Sequence, residues 1–222
     1  MIRSPLDENA QTPDLTITHI VTGNPINGEK KPHTPLEPSN ADGNTITKPR
    51  VYLAGKIGKS DWRHSLVNDL RGHLWADGDI EEKDFIYVGP YFVSCDHGCF
   101  HGKETHGAVG SGCLGNDHEF TKQEVFSNNT EALFSADLVY AYITANDCHG
   151  TIFEIGNAFA LDIPVVIAYA PNTKISDFWY PSESAVKVYE NVRRCCLPKL
   201  FADDVQGMIR ATTDFLKATS YD

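Results

Sequence analysis

A glutamate at the start of a predicted helix is the first candidate for chemistry in this chain. Glu154 lies in the run Asn146-Asp-Cys-His-Gly-Thr-Ile-Phe-Glu-Ile-Gly-Asn-Ala158, in which Gly150 and Thr151 suit a turn and an N-cap. A carboxylate in the first turn is favoured in its ionised form by the helix dipole. If the apolar side of this helix faces a sheet, Glu154 points into a cleft and can attack an anomeric carbon. A glutamate that only complements the dipole would occupy the same position, so spacing alone leaves both interpretations open.

The loop after Leu53 is the second candidate, because glycines and cations follow a buried strand. Gly55 and Gly58 allow a ligand to approach the backbone closely. The loop matches neither a Walker loop nor the dinucleotide-binding pattern. Three cations there could each meet a phosphate or be ordinary solvated charges: Lys56, Lys59 and Arg63.

A third loop, between residues 95 and 118, contains three cysteines and four histidines. Alternate residues of an extended chain share one face, so four side chains could converge on a zinc ion. These zinc candidates are Cys95, His97, Cys99 and His101. Their spacing matches no standard zinc knuckle, and we assign no metal. The alternatives are that the imidazoles, His97 among them, line a substrate pocket, or that the loop is simply irregular.

These loops are positioned by strands that alternate with helices. The predicted strands are 51–55, 84–89, 137–143 and 163–169. The predicted helices follow Ser60 and cover about 118–135, 151–161, 182–194 and 203–219. The helix over 151–161 has Ile152, Ile155, Ala158 and Phe159 on its sheet-facing side. The pattern predicts an α/β domain whose parallel sheet is covered on both faces, with its ligand outside the carboxyl ends of the strands.

The first 48 residues differ in composition from the rest. Residues 1–50 contain no Phe, Tyr, Trp or Cys and hold seven of the twelve prolines. Such a segment buries too little apolar surface to offset its ordering entropy. We therefore predict a flexible, disordered arm over 1–48, in which 15–21 could add a short edge strand. A single catalytic domain is predicted over 49–222.

Charge and hydropathy exclude several partners. The net charge is -11, and no Lys/Arg run is long enough for a nucleic-acid backbone or an anionic membrane. No apolar run approaches the roughly 18 residues of a membrane span, and the N-terminus lacks the apolar stretch of an export signal. We expect a cytoplasmic protein whose six cysteines are thiols or metal ligands. A small nucleoside or nucleotide remains compatible, since one local cation can hold a phosphate.

Three segments together resemble the nucleoside 2-deoxyribosyltransferase superfamily, which includes nucleoside 5'-monophosphate N-glycosidases. They are Tyr52-Leu-Ala-Gly55, Ala136-Asp137 and Gly150-Thr-Ile-Phe-Glu-Ile-Gly-Asn-Ala158, within a similarity that covers roughly residues 50 to 170. The resemblance implies a flavodoxin-like, Rossmann-like doubly wound sheet and a homo-oligomer with a shared active site. It places the nucleophile at Glu154, and it matches Tyr52 to a tyrosine whose hydroxyl contacts that carboxylate.

Two positions depart from the family pattern. Six residues before the nucleophile, where the family has an aspartate or a phosphate-binding serine, this chain has Cys148, preceded by Asp147. Asn129 stands where the family has a base-contacting aspartate. An amide cannot protonate a leaving base as a carboxylic acid can. The acid could then be Asp147, Asp117 or a histidine of the third loop.

We therefore expect an enzyme that cleaves or transfers the N-glycosidic bond of a nucleoside or nucleoside 5'-monophosphate. Its catalytic candidates are Glu154, Tyr52 and Asp147. Its substrate-binding candidates are Gly55, Lys56, His97, Asn129, Cys148, Gly150 and Thr151. This chemistry requires no cofactor, although zinc is possible in the third loop. The alternatives are a non-catalytic nucleotide-binding or sensing module, and a zinc-dependent hydrolase or scaffold centred on 95–118.

Overall fold

The architecture is that of an α/β protein with a mostly parallel sheet. The computed structural model describes residues 48–58, 61–68, 70, 78–90 and 122–219. Within them lies one six-stranded sheet. Its strands are β1 (Arg50–Gly55), β2 (Ile80–Glu81), β3 (Ile86–Gly89), β4 (Leu138–Ile143), β5 (Val165–Tyr169) and β6 (Lys187–Tyr189).

Four α-helices accompany the sheet in the described part of the chain. They are α1 (Lys122–Phe134), α2 (His149–Ala160), α3 (Trp179–Ser184) and α4 (Leu197–Thr219). Short 3-10 turns occur at Trp62–Ser65, Ile175–Phe178 and Arg194–Cys196. None of the described helices is both long enough and apolar enough to cross a membrane.

The strand order is β2-β3-β1-β4-β5-β6, and only β2 runs antiparallel to its neighbour. Five parallel strands therefore follow one another as β3-β1-β4-β5-β6, which is compatible with a Rossmann-like fold. From β1 the chain moves to β3, towards one edge of the sheet, whereas from β4 it moves to β5, towards the opposite edge. The order consequently reverses between β1 and β4, and the loops leaving these two strands part to form a crevice.

Two apolar cores cover the two faces of the sheet, because successive strand residues point to opposite sides. On one face, Val51 and Leu53 of β1 pack with residues of the Trp62 turn and of α4. On the other face, Tyr52 and Ala54 pack with residues of α1 and α2. We call these the α4 face and the α2 face. The buried strands are apolar on both sides, as parallel strands between two helical layers must be.

A buried ion pair fixes the end of β1. The guanidinium of Arg63 is completely buried and contacts both carboxylate oxygens of Asp61 at 2.9 and 3.0 Å. The same guanidinium donates to the carbonyl oxygens of Leu53, at 2.8 Å, and Gly55, at 2.7 Å. These contacts satisfy the charge inside the protein, where an unpaired guanidinium would be very costly. Arg63 is thus a structural clamp and not the solvated or phosphate-binding cation that its sequence context permitted.

Several predicted boundaries are wrong. Residues 182–194 do not form one helix: they contain the end of α3 and the strand β6. The apolar residues of that segment mimic helical spacing, although they belong to a loop and an edge strand. They are Ala185, Val188, Tyr189 and Val192. The sheet therefore has a fifth parallel strand that the sequence did not reveal, together with the short antiparallel β2.

The helix that carries Glu154 also begins earlier than predicted. Its N-cap is Cys148 and its first residue is His149, so neither Gly150 nor Thr151 marks its start. Ile155 and Ala158 are buried, but Phe159 is 47% exposed and does not face the sheet. Glu154 lies in the second turn, beyond the region where the helix dipole acts most strongly.

The other predicted elements agree with the structure within a few residues. The strands β1, β3, β4 and β5 and the helices α1 and α4 lie where expected, although α4 starts at Leu197, ahead of the predicted 203. The helix predicted after Ser60 is present only as the 3-10 turn Trp62–Ser65, capped by Asp61, in the residues described there. The predicted arm lies outside the described residues except for Lys48.

Candidate active site

A hydrogen bond between Tyr52 and Glu154 forms the centre of the site. The hydroxyl of Tyr52 donates to Oε1 of Glu154 at 2.6 Å. Tyr52 is fully buried on the α2 face of β1, while Glu154 is half-buried on α2. A bond to a charged acceptor is among the stronger hydrogen bonds in proteins. The expected contact between these two side chains is present, and it joins two elements that are far apart in the chain.

The surroundings of Glu154 favour its neutral form more than the sequence indicated. Burial raises the pKa of this carboxyl to about 7, while the Tyr52 hydrogen bond and the positive charge of Arg63 pull the pKa down. Burial, reinforced by the negative charge of Glu154, also raises the pKa of Tyr52 well above its ordinary value. Tyr52 consequently remains a hydroxyl donor at neutral pH, whereas Glu154 is poised between its acid and carboxylate forms.

A cavity of about 140 Å³ opens beside Glu154 between α1 and α2. Its described wall comprises Tyr52, Phe126, Asn129, Thr130, Leu133, Gly150, Phe153, Glu154 and Asn157. The volume is comparable to an engineered cavity of about 150 Å³ that binds benzene, so a single ring fits within this wall. An aromatic ring next to a carboxylate is a combination that suits a heterocyclic ligand.

Each helix contributes one regular stripe to this wall. Residues 126, 129, 130 and 133 of α1 and residues 150, 153, 154 and 157 of α2 both follow the spacing i, i+3, i+4, i+7. Each stripe contains one phenylalanine and one asparagine. The rings of Phe126 and Phe153 are 6.1 Å apart between centroids and are each about half exposed, at 50% and 54%. Apolar rings exposed at a cavity rim are typical of a ligand-binding surface.

Asn129 and Asn157 supply neutral hydrogen-bonding groups to the cavity. Both are half-buried, and an amide offers donors and an acceptor at once. The sequence identified Asn129 and Gly150 but missed Asn157, Thr130 and the two phenylalanines. The stripe spacing around Glu154 was the available signal: Asn157 lies three residues further along the same helix, and Phe153 immediately precedes the glutamate.

Asp147 and Lys56 lie in the crevice between the ends of β4 and β1, but outside the cavity wall. Nζ of Lys56 contacts Oδ2 of Asp147 at 2.6 Å, and both side chains are exposed, at 38% and 65%. The hydrogen bond and the charge of Lys56 lower the pKa of Asp147. A general acid needs its proton near neutral pH, so this arrangement does not favour Asp147 as the acid.

Three further predicted site residues, Gly55, Cys148 and Thr151, are packed against other parts of the protein. A Cβ built at Gly55 would lie 2.9 Å from the carbonyl oxygen of Tyr142 and 3.1 Å from Nε1 of Trp62, so glycine is required there by packing against the protein itself. Cys148 is buried at the N-cap of α2, and burial raises the pKa of its thiol. Thr151 is buried in the first turn. None of these three residues belongs to the described cavity wall.

The predicted zinc candidates Cys95, His97, Cys99 and His101 lie outside the described residues, as does Asp117. Within the ranges that the structure describes, no group of three or more His, Cys, Asp or Glu side chains is arranged to hold a metal ion. The three cysteines described there, Cys148, Cys195 and Cys196, are free thiols.

Comparison of the chain with protein-family models, with curated proteins and with solved structures finds no match. The resemblance carried by the three short segments therefore remains a prediction.

Proposed function

We propose that this protein cleaves or transfers the N-glycosidic bond of a nucleoside or nucleoside 5'-monophosphate, with Glu154 as the nucleophile. The observation that carries the proposal is the 2.6 Å hydrogen bond from Tyr52 to Glu154 at the wall of a ring-sized cavity. A half-buried carboxylate held by one hydroxyl, next to aromatic and amide side chains, suits attack on a sugar that bears a heterocycle.

The fold supports the same proposal. Numbered in chain order, the five parallel strands follow the order 2-1-3-4-5, which is that of flavodoxin-like doubly wound sheets. Ligands of such sheets bind at the carboxyl ends of the strands, next to the reversal of strand order. Here that reversal lies between β1, which carries Tyr52, and β4, which leads into the helix of Glu154.

The first step uses the oxygen of Glu154 that Tyr52 leaves available. Oε1 accepts from Tyr52, whereas Oε2 accepts no hydrogen bond from the described residues. Oε2 attacks C1' of the sugar, the bond from C1' to the base nitrogen breaks, and its electron pair departs with the base. The product is a glycosyl ester on Glu154. The Tyr52 hydroxyl fixes the orientation of the carboxylate and favours its ionised form.

The second step returns the enzyme to its initial state. Water or a second base attacks C1', the ester bond breaks, and the electron pair returns to Glu154. The proton that the attacking water or base loses goes back to the group, or the solvent, that protonated the departing base. Two inversions give overall retention of configuration. Neither step requires a cofactor. The departing base needs a proton, and the described cavity wall offers no carboxyl other than Glu154, so a residue outside the described ranges or solvent would supply it.

One observation favours a second candidate function, a nucleotide-binding or sensing module without turnover. Asn129 faces the cavity with an amide where a carboxylic acid would be needed to protonate the base. Such a module would keep the ring-binding surface of Phe126, Phe153 and the two asparagines. It would bind nucleosides or nucleotides and raise the melting temperature of the protein without releasing a base.

The test is an assay of base release from a panel of deoxynucleosides, ribonucleosides and their 5'-monophosphates. The variants are Glu154→Ala and the matched control Glu131→Ala, which removes an exposed glutamate of α1 that does not belong to the cavity wall. We expect release by the wild type and by the control, and a loss of at least about 10³-fold in Glu154→Ala. Release by Glu154→Ala at the wild-type rate would exclude Glu154 as the nucleophile.

If no member of the panel is cleaved but some raise the melting temperature of the wild-type protein, the sensing function replaces the enzymatic one. Trapping distinguishes the two directly. A substrate analogue that forms a stable glycosyl ester should add its mass to the wild type and to Glu131→Ala but not to Glu154→Ala.

A further inference from the structure

A second cavity lies on the α4 face of the sheet, on the side opposite to Tyr52. It has a volume of about 280 Å³. Its described lining comprises Leu138, Pro164, Val166, Val186, Lys187, Asp204 and Met208. Five of these seven residues are apolar, and the two that carry charge form an ion pair with each other. The cavity is bounded by the beginnings of β4, β5 and β6 and by the first half of α4.

One carboxylate oxygen in this region has no hydrogen-bond partner. The side chain of Asp204 is only 7% exposed. Its Oδ1 accepts from Nζ of Lys187 at 2.7 Å and from the hydroxyl of Tyr189 at 2.9 Å. Its Oδ2 is buried and has no partner among the described residues. Buried polar atoms are nearly always paired, so an unpaired carboxylate oxygen beside a cavity marks a place for a hydrogen-bond donor.

A second unpaired polar atom lies on the same face of the sheet. Tyr140 is fully buried on β4, and its hydroxyl also lacks a partner within the described part of the chain. Its backbone pairs with Val166, a residue of the cavity lining, and Leu138 of the same lining precedes it by two positions on the same face. The negative charge of Asp204 adds to burial in raising the pKa of Tyr140. The region thus holds one unpaired acceptor and one hydroxyl able to donate.

The charges around the cavity restrict the ligand. An anion would be repelled by Asp204, and a cation would compete with Lys187 for it. A neutral group that both donates and accepts is the complement of the two unpaired atoms, and the apolar lining requires an apolar body. A hydroxyl has both properties in a single atom.

We propose that this cavity is a second ligand site, which binds a small neutral apolar molecule bearing one hydroxyl group. The hydroxyl donates to Oδ2 of Asp204 and accepts from the hydroxyl of Tyr140, while the apolar body packs against Val166 and Met208. The site is separate from the Glu154 cavity, lies on the other face of the sheet and does not depend on the glycosidic chemistry proposed above.

The test uses three ligands of nearly equal shape. The first, p-cresol, donates and accepts a hydrogen bond; 4-methylanisole only accepts; and p-xylene does neither. The chain supplies a specific reporter, since its only methionines are Met1 and Met208. Protein labelled with ¹³C at the methionine methyl groups should give two signals, and Met208→Leu identifies the one that lines the cavity.

We expect p-cresol to shift the Met208 signal in a saturable manner. We expect 4-methylanisole and p-xylene to bind about tenfold more weakly, because each would leave Oδ2 of Asp204 buried and unpaired. In Tyr140→Phe, p-cresol should lose roughly fivefold in affinity while p-xylene is unaffected. This variant leaves the contacts of Asp204 with Lys187 and Tyr189 in place, so it should fold.

Two controls locate the binding event. Glu154→Ala should retain p-cresol binding unchanged, which shows that the ligand does not occupy the other cavity. Met208→Trp, read by calorimetry, should abolish binding because the indole fills the space. The proposal is overturned if the Met208 signal does not move at saturating p-cresol, or if the three ligands bind equally, which would show an apolar crevice without a polar site.

Discussion

Tyr52 and Glu154 are 102 positions apart in the chain, yet the hydroxyl of one lies 2.6 Å from a carboxylate oxygen of the other. The contact joins β1 to α2 across one face of the sheet. It opposes the effect of burial, because a hydroxyl donated to the carboxylate stabilises the charged form. The balance between these two effects determines the pH at which Glu154 becomes a nucleophile, and it leads to the first two predictions.

Tyr52→Phe should move the acid limb of the pH profile upward. The Tyr52 hydrogen bond lowers the pKa of Glu154, so its removal raises that pKa above about 7 and reduces the fraction of carboxylate at neutral pH. We expect kcat/KM at pH 7 to fall roughly tenfold or more, with partial recovery at pH 8.5. The measurement is kcat/KM for base release between pH 5 and 9.

Tyr180→Phe is the matched control, because Tyr180 is 73% exposed and its hydroxyl makes none of the described hydrogen bonds. Its profile should coincide with that of the wild type. An acid limb in Tyr52→Phe at the wild-type position would show that Tyr52 does not set the pKa of Glu154.

Glu154→Gln should be more stable than the wild type at high pH but not at low pH. The pKa of Glu154 is about 7 in the folded protein against 4.5 for the ordinary group, so the folded state binds the proton more tightly. The stabilising contribution of this group is complete below pH 4.5 and is lost as the pH rises through 7. Relative to the wild type, the variant should gain roughly 2 kcal/mol between pH 5 and pH 8, after allowance for the partial exposure of the side chain.

Urea unfolding at the two pH values measures this difference. The stability of Glu131→Gln relative to the wild type should be nearly the same at the two pH values, because Glu131 is exposed on α1. A stability difference between Glu154→Gln and the wild type that is the same at both pH values would show that the carboxyl titrates normally in the folded protein.

Substitutions of Lys56 and Asp147 should change KM for a phosphorylated substrate in opposite directions. Asp147 now holds the Lys56 ammonium at 2.6 Å, and both groups are exposed, so breaking the pair should change stability little. If Lys56 contacts a 5'-phosphate, Asp147→Asn releases it and lowers KM for the monophosphate several-fold, whereas Lys56→Ala raises KM. KM for the unphosphorylated nucleoside should not change in either variant. Equal changes for both substrates would exclude a phosphate contact.

Gly55→Ala should be strongly destabilising. The added Cβ would lie 2.9 Å from the carbonyl oxygen of Tyr142 on the neighbouring strand, at a φ of +155°. Because that oxygen belongs to the backbone of β4, it cannot move away cheaply. We expect a loss of roughly 2–3 kcal/mol in the free energy of unfolding. Gly58→Ala is the control: a Cβ there meets nothing within 4 Å, and its effect should stay within about 0.5 kcal/mol.

The parts of the fold that could be predicted from the sequence are those with long apolar runs. The segments that became β1, β4 and β5 are buried on both faces and consist almost entirely of apolar residues, so their type and order were evident. The strand β6 was missed because it has only three residues and begins with a half-buried lysine, and because its apolar neighbours recur at helical spacing. An edge strand of this kind is specified by the strand beside it, Val165–Tyr169, and not by its own residues.

The site could be predicted only in part for a related reason. The positions of Glu154 and Asn129 followed from local pattern and resemblance, but the pKa of Glu154 depends on burial that arises when α1, α2 and β1 come together. The helix-dipole argument therefore gave the wrong direction for this group: the structure raises its pKa. Arg63 was likewise predicted to be a solvated or phosphate-binding cation, because the local sequence does not show that its side chain is completely buried with Asp61.

Arg194 lies just before the start of α4, the helix that covers one face of the sheet. Its side chain donates a hydrogen bond to the backbone carbonyl of Asp61, 133 positions earlier in the chain. Asp61 in turn binds Arg63, whose guanidinium holds the end of β1. During synthesis on the ribosome, β1 with Tyr52 is therefore made well before Arg194, one of the residues that secure it. Nascent chains that end before Arg194 lack this contact, so they should hold the end of β1 less firmly even when they include every described residue of the cavity wall.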